Sequence, residues 1–234
     1  MQEPEVLLTK EHIDHELYLA LKAFFVQAFG EEAGLAYHSW FAYYADDAGF
    51  LYKVYKMIAD GAPQELIDSE KDFSYELLRG KLFVKEHGQT FYFDQHQAHK
   101  AIELLVDVAQ DYLPLGSVVD LRKEEFKDII DPLSLDNCRI LITQRLVALE
   151  DTLTYFDYGG VIYPIGILKD YESLYFSSHL IENVIHKGFS DDTDLAFIAS
   201  VKAELLFSRS YCSFRLASKT LKEQALEEIR NKGG

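Results

Sequence analysis

The sequence is poor in cysteine and proline and contains no long apolar run. Its 234 residues include two cysteines, five prolines and one tryptophan. Two cysteines are too few for a disulfide framework, so we expect reduced thiols. No apolar run approaches the roughly 20 residues of a membrane helix, and the acidic start lacks the features of a signal peptide. We therefore expect a cytoplasmic protein that does not insert into membranes.

Positive charge is also scarce. The chain has 23 lysines and arginines against 39 aspartates and glutamates, a net charge of −16. Such a surface repels phosphate, which argues against a nucleic-acid-binding protein. Apolar residues at 48% and charged residues at 26% are typical of a globular protein with a real core.

Charge and periodicity divide the chain into three parts. Residues 1–113 form an acidic, aromatic-rich region with helical apolar spacing and one small hairpin. Residues 114–207 combine β-prone runs with helices, and residues 208–234 read as a basic helix or tail. The sequence therefore predicts an α+β protein, in which a helical N-terminal region precedes a mainly antiparallel sheet with flanking helices.

Several local segments carry specific expectations. The chain around His87-Gly88 reads as a tight hairpin turn, and Asp94 reads as the N-cap of the next helix. We expect short helices over residues 63–78 and 178–188, because their apolar residues recur at helical spacing. Residues 157–160 read as a turn between two strands, because they end in two glycines.

The second half carries a family pattern. Residues 113–119 read LPLGSVV, residues 163–166 read YPIG, and residues 181–189 read IENVIHKGF. Over about residues 112–200 the chain resembles a domain-of-unknown-function family of Gram-positive (Firmicutes) bacteria with the pattern LPIGSVV, YPxG and IxxVIxxG. The sequence departs from this pattern at residues 143–144 and at Ile165. The resemblance implies association with gene clusters for type VII secretion and LXG toxins, and no catalytic residues come with it.

Two groups of residues are candidates for contacts with a protein partner. In the first half, aromatic residues that fall off the helical stripe lie close to acids in the sequence, as at an interface. In the second half, the YPIG string could be presented to a partner, although a strand bend at Pro164 is the favoured explanation. The candidates are Tyr43, Asp46, Asp47, Phe50, Tyr52, Tyr163, Pro164 and Gly166.

Histidine spacing offers a different class of function. His12 and His15, and again His96 and His99, lie three residues apart, so each pair shares one face of a helix. A metal site needs three or four ligands, and nothing in the sequence joins the pairs. Cys138 and Cys212 read as inert thiols, because no base can be placed beside either one.

The leading hypothesis is therefore a non-enzymatic binding protein without a cofactor. Its partner would be a protein, by resemblance a toxin or a type VII secretion component, and it would act as a chaperone or immunity protein that masks a partner surface. The alternatives are a small metal-dependent hydrolase that uses the histidines with nearby acids, and a structural homo-oligomer.

Overall fold

The computed structural model describes residues 10–44, 47–86, 88–133, 135–167 and 173–232. The chain folds into two compact units. We call Glu16–Gln110 the N-terminal unit, and Asp111–Gly234, grouped with the residues before Glu16, the C-terminal unit. Helices and mainly antiparallel sheets make up the described residues, which confirms the α+β class.

Three helices precede the first sheet, and a fourth helix follows it. These elements are α1 (Lys10–Phe29), α2 (Glu31–Tyr44), α3 (Ala48–Asp60), β1 (Gln64–Asp68), β2 (Phe73–Leu78), β3 (Lys81–Glu86), β4 (Gln89–Asp94) and α4 (Gln95–Ala109).

Glycine shapes the corner between α1 and α2. Gly30 separates the two helices with a left-handed φ of 84°. Gly34 on α2 approaches α1 so closely that a Cβ would lie 2.7 Å from the Cα of Val26. Because any other residue would force the two backbones apart, glycine fixes the packing at this corner.

The first sheet has the strand order β1-β2-β3-β4, and all its pairs are antiparallel. The hairpin between β3 and β4 is confirmed, with Glu86 opposite Gln89. The helix expected over residues 63–78 is wrong, because this stretch forms β1 and β2. The buried residues of β2 are Phe73, Tyr75 and Leu77, which alternate with more exposed neighbours as a strand requires.

Helices α3 and α4 supply apolar side chains to the core of the N-terminal unit. Asp94 begins α4 as predicted, because its side chain accepts the N–H groups of His96 and Gln97. Burial of each large aliphatic side chain contributes roughly 1.5–3 kcal/mol. The buried residues of the two helices include Leu51, Val54, Met57, Ile58, Ile102, Leu105 and Val106.

The C-terminal unit is built on a second sheet. Its elements are β5 (Val118–Leu121), α5 (Lys127–Ile130) between two 3₁₀ turns, β6 (Cys138–Leu149), β7 (Thr154–Ile162), β8 (Leu174–Phe176), β9 (Ile181–His186), α6 (Asp192–Ala203), a π turn (Glu204–Ser208), β10 (Cys212–Ser213) and α7 (Lys219–Lys232). The strand order is β10-β7-β6-β5-β9, and β8 also pairs with β7. Among the described pairs of this sheet, that of β10 with β7 is parallel and the others are antiparallel.

Strand β7 pairs with three other strands of this sheet, β6, β8 and β10, and all nine of its residues are buried. Gly160 lies where a Cβ would come within 2.5 Å of the backbone oxygen of Leu141, so β6 and β7 approach closely here. The turn expected over residues 157–160 is therefore wrong, because these residues continue β7. Gly160 allows the two strands to approach closely and does not mark a change in chain direction.

The helix expected over residues 178–188 is also wrong. A 3₁₀ turn at Ser178–Leu180 leads into β9, which pairs with β5. Val184 and Ile185 are each 49% exposed, so their helical spacing does not mark a buried face.

Candidate functional site

Two of the predicted partner-binding aromatics lie in one aromatic cluster of the N-terminal unit. The ring of Tyr43 packs edge-on against Phe73 at 5.0 Å between centroids, and Phe50 stacks on Tyr44 at 4.7 Å. Tyr44 and Phe73 are themselves 5.7 Å apart. Tyr43 is 40% exposed and Phe50 is partly buried, so Tyr43 offers the accessible surface of this cluster.

The other predicted residues of this group have separate surroundings. The carboxylate of Asp47 caps α3, because its Oδ1 accepts the backbone N–H of Phe50 at 2.9 Å. Tyr52 stacks on Tyr55 at 5.9 Å. Asp46 lies outside the described residues. Asp47 therefore has a structural role whether or not it meets a partner.

The second predicted group forms a turn directly after β7. The Tyr163–Pro164 peptide bond is cis, and Gly166 has a φ of 73°. The backbone N–H of Gly166 donates to the carbonyl of Ile162 at 2.8 Å. The side chain of Tyr163 is 54% exposed, so this turn presents an aromatic ring to solvent.

The histidines do not assemble a metal site among the described residues. No group of three or more histidine, cysteine, aspartate or glutamate side chains with ligand geometry occurs there. The side chain of His12 lies outside the description, and His15 and His96 are exposed. His99 packs at 5.0 Å from the ring of Tyr55, and burial, followed by the nearby His96, lowers its pKa. The metal-dependent alternative therefore finds no ligand set in the described part of the chain.

A groove that the sequence does not predict lies in the N-terminal unit. This β4 groove is lined by residues 29–32 and 36 at the α1–α2 corner, by residues 90–94 of β4, and by Lys81 and Gln97. Its volume is about 590 Å³. That size falls within the ordinary range for sites that take small ligands or peptide segments.

The walls of the β4 groove are both aromatic and acidic. Tyr92 is 67% exposed, and the Nζ of Lys81 lies 5.1 Å from its ring centroid. Glu31, Glu32 and Asp94 line the groove, against the single cation of Lys81 among its lining residues. The apolar run at residues 91–93 is visible in the sequence, but the exposure of Tyr92 at a sheet edge is not.

A buried carboxyl group lies in β7. Asp157 is 2% exposed, and its Oδ2 accepts the backbone N–H of Ser178 at 2.6 Å. Burial raises the pKa of the Asp157 carboxyl, while the hydrogen bond from the Ser178 backbone and the charges of Arg215 and Lys202 oppose that effect. Because this group ties the turn after β8 to strand β7, we interpret it as structural.

The described residues thus define an α+β protein with exposed aromatic surfaces and an open groove. Among them, no helix is long and apolar enough to cross a membrane. Residues 112–197 match the model of a family described as a domain of unknown function, DUF4176. No curated protein and no solved structure matches the chain.

The family match falls within the C-terminal unit. It confirms the expected resemblance to a domain-of-unknown-function family over this region. The bacterial group and the secretion context stay predictions, because the family description names neither.

Proposed function

We propose that the protein is a non-enzymatic protein-binding accessory of a type VII secretion toxin locus. It acts in the cytoplasm as a chaperone or immunity protein by masking a surface of its partner. The association with a toxin locus is based on the family resemblance of residues 112–200. The binding role depends mainly on one observation, the open aromatic and acidic groove beside β4.

Charge supports a basic partner surface. The whole chain carries a net charge of −16, and acids outnumber cations in the β4 groove. Complementary charge raises the rate of encounter with a basic partner and disfavours acidic competitors. An exposed aromatic ring such as Tyr92 adds apolar area at low conformational cost, as anchor residues do at protein interfaces.

The exposed tyrosines of the two units allow a matched experiment. The full-length tagged protein would be used to capture partners from a lysate of the organism that encodes it. Tyr92→Ala alters the β4 groove, and Tyr163→Ala alters the turn after β7. Both residues are more than half exposed, so neither substitution should unfold the protein.

We expect the wild-type protein and Tyr163→Ala to retain one product of a toxin locus, and Tyr92→Ala to lose it. Loss with Tyr163→Ala instead would place the interface on the second predicted surface. Capture of no toxin or secretion component by the wild-type protein would contradict the proposed function.

A further inference from the structure

Strand β4 is an edge strand whose outward backbone groups can be identified. It pairs only with β3 in the first sheet of the described chain. The N–H of Gln95 donates to the carbonyl of Gly80, and these two residues continue the register of β3 with β4. Since hydrogen-bonded pairs alternate along an antiparallel ladder, Phe93 and Phe91 bond to β3, whereas Tyr92 and Thr90 point their backbone groups away from it.

The outward backbone groups of Thr90 and Tyr92 have no hydrogen-bond partner among the described residues. Residues 90–94 all line the β4 groove. Successive residues of a strand point to opposite faces, so a cavity that touches all five runs along the strand edge rather than over one face. The groove therefore gives access to unpaired backbone donors and acceptors.

The opposite wall of the β4 groove is acidic. It contains Glu31 and Glu32, in the first turn of α2. Tyr37 from the same helix packs on Phe93 at 4.6 Å between ring centroids, which holds α2 against β4. An added strand would thus lie between a hydrogen-bonding edge and two carboxylates.

We propose that the β4 groove binds an extended segment of a partner protein that carries lysine or arginine and adds to β4 as a fifth strand. Backbone hydrogen bonds to Thr90 and Tyr92 give the affinity, and the carboxylates of Glu31 and Glu32 select basic side chains. This inference rests on the proposed protein-binding function, for which it names the binding mode and the chemistry of the partner.

The edge strand β9 is less suited to this role. It pairs with β5 through two register shifts, and such irregularities twist an edge away from further pairing. Glu182 and His186 of β9 are exposed, and so is Lys187, which follows the strand. Charged side chains at such an edge disfavour pairing with a further strand. By contrast, β4 keeps a continuous register with β3 over all six of its residues.

The test uses the full-length protein and a fluorescein-labelled hexapeptide of alternating lysine and valine. Fluorescence anisotropy measures its Kd beside two control peptides, one with glutamate in place of lysine and one N-methylated at its four central amides. Loss of two or more backbone hydrogen bonds is expected to weaken binding by about 10-fold or more. The glutamate peptide should bind at least as poorly, because it meets like charge in the groove.

Protein variants separate the groove from the general acidity of the chain. Glu31→Gln with Glu32→Gln is expected to raise the Kd of the lysine peptide by about 3- to 10-fold, since the substitutions remove two solvent-exposed partners of the lysine charges. Glu65→Gln with Glu70→Gln removes two exposed acids of the same unit that do not line the groove. This control variant should bind as the wild type does.

Equal binding of the N-methylated peptide would overturn strand addition, and equal effects of the two glutamine pairs would overturn selection by the groove. Light scattering could show that the protein is a dimer and that the peptide dissociates it. That result would assign the β4 edge to a second copy of the chain and would contradict binding of a basic partner there. If the lysate experiment still captured a product of a toxin locus in any of these cases, the proposed function would stand without this binding mode.

Discussion

An ion pair inside the family-matched region gives the sharpest test of the fold. Arg145 on β6 makes a two-pronged contact with Asp194 on α6, and Nη1 lies 3.1 Å from Oδ2. The side chain of Arg145 is 5% exposed and that of Asp194 is 21% exposed. Asp194→Ala would leave a buried guanidinium without its counter-charge. We expect the free energy of unfolding to fall by about 3 kcal/mol. This value is at the lower end of the range for breaking a buried ion pair, because water can reach the partly exposed carboxylate side.

Thermal melting followed by circular dichroism measures this cost. A loss of about 3 kcal/mol corresponds to a decrease in Tm of roughly 6–12 °C for a chain of this size. Arg145→Met should be milder, because methionine fills similar space and leaves no buried cation. The double variant should therefore recover stability relative to Asp194→Ala alone.

Two results would refute the reasoning about this pair. One is a loss below about 1 kcal/mol for Asp194→Ala, which is the level of an exposed ion pair. The other is additivity of the two single variants within about 0.5 kcal/mol, which would show that the side chains are not coupled.

The pH dependence of the same variant has a defined sign. The hydrogen bonds from Arg145 are the main cause that lowers the pKa of Asp194. A lowered carboxyl pKa gives stability that is present above the unfolded pKa of about 3.9 and is lost as the pH falls through the folded pKa. The difference in Tm between wild type and Asp194→Ala should therefore be full at neutral pH and should shrink below about pH 4.

Two further predictions concern close packing and thiol reactivity. Gly160→Ala should lower the Tm more than Gly159→Ala, because its Cβ would lie 2.5 Å from a backbone oxygen of β6, whereas the nearest atom to Gly159 is the movable end of Gln144. Equal melting of these variants would contradict the close approach of the strands. Burial raises the pKa of the Cys138 thiol to about 11, so it should react with a thiol-specific reagent more slowly than the partly buried Cys212. Faster labelling of Cys138, measured with each cysteine replaced in turn by alanine, would contradict its burial.

The sequence predicted elements where local chemistry alone decides the structure. The hairpin of β3 with β4 and the N-cap Asp94 depend on residues within a few positions, and the structure confirms both, although His87 of the predicted turn lies outside the described residues. Apolar residues at helical spacing predict helices over residues 63–78 and 178–188, but the structure forms strands in both segments. In both segments, pairing with a neighbouring strand decides the conformation, and the local sequence does not contain that partner.

The sequence predicts less of the candidate site than of the fold. Exposure of Tyr43 and Tyr163 agrees with a role at a surface, but partner binding by either residue stays a prediction. The β4 groove joins residues 29–32 and 36 to residues 90–94, which are far apart in the chain. No motif links these segments, and it is packing such as that of Tyr37 on Phe93 that brings them together.

The π turn after α6 bears on how much of the chain must move together if this region is transferred to another gene. It leads the chain into β10 and α7, which follow the family-matched residues 112–197. Phe214 stacks on Phe156 at 4.3 Å between ring centroids, and the fully buried Ala225 packs in the same cluster. A recombination event that moved only the recognised stretch into another gene would carry a sheet with an open apolar flank. The length of chain that closes this sheet is therefore greater than the length that matches the family model, and a gene fusion should keep the residues through α7 to preserve the packing of the sheet.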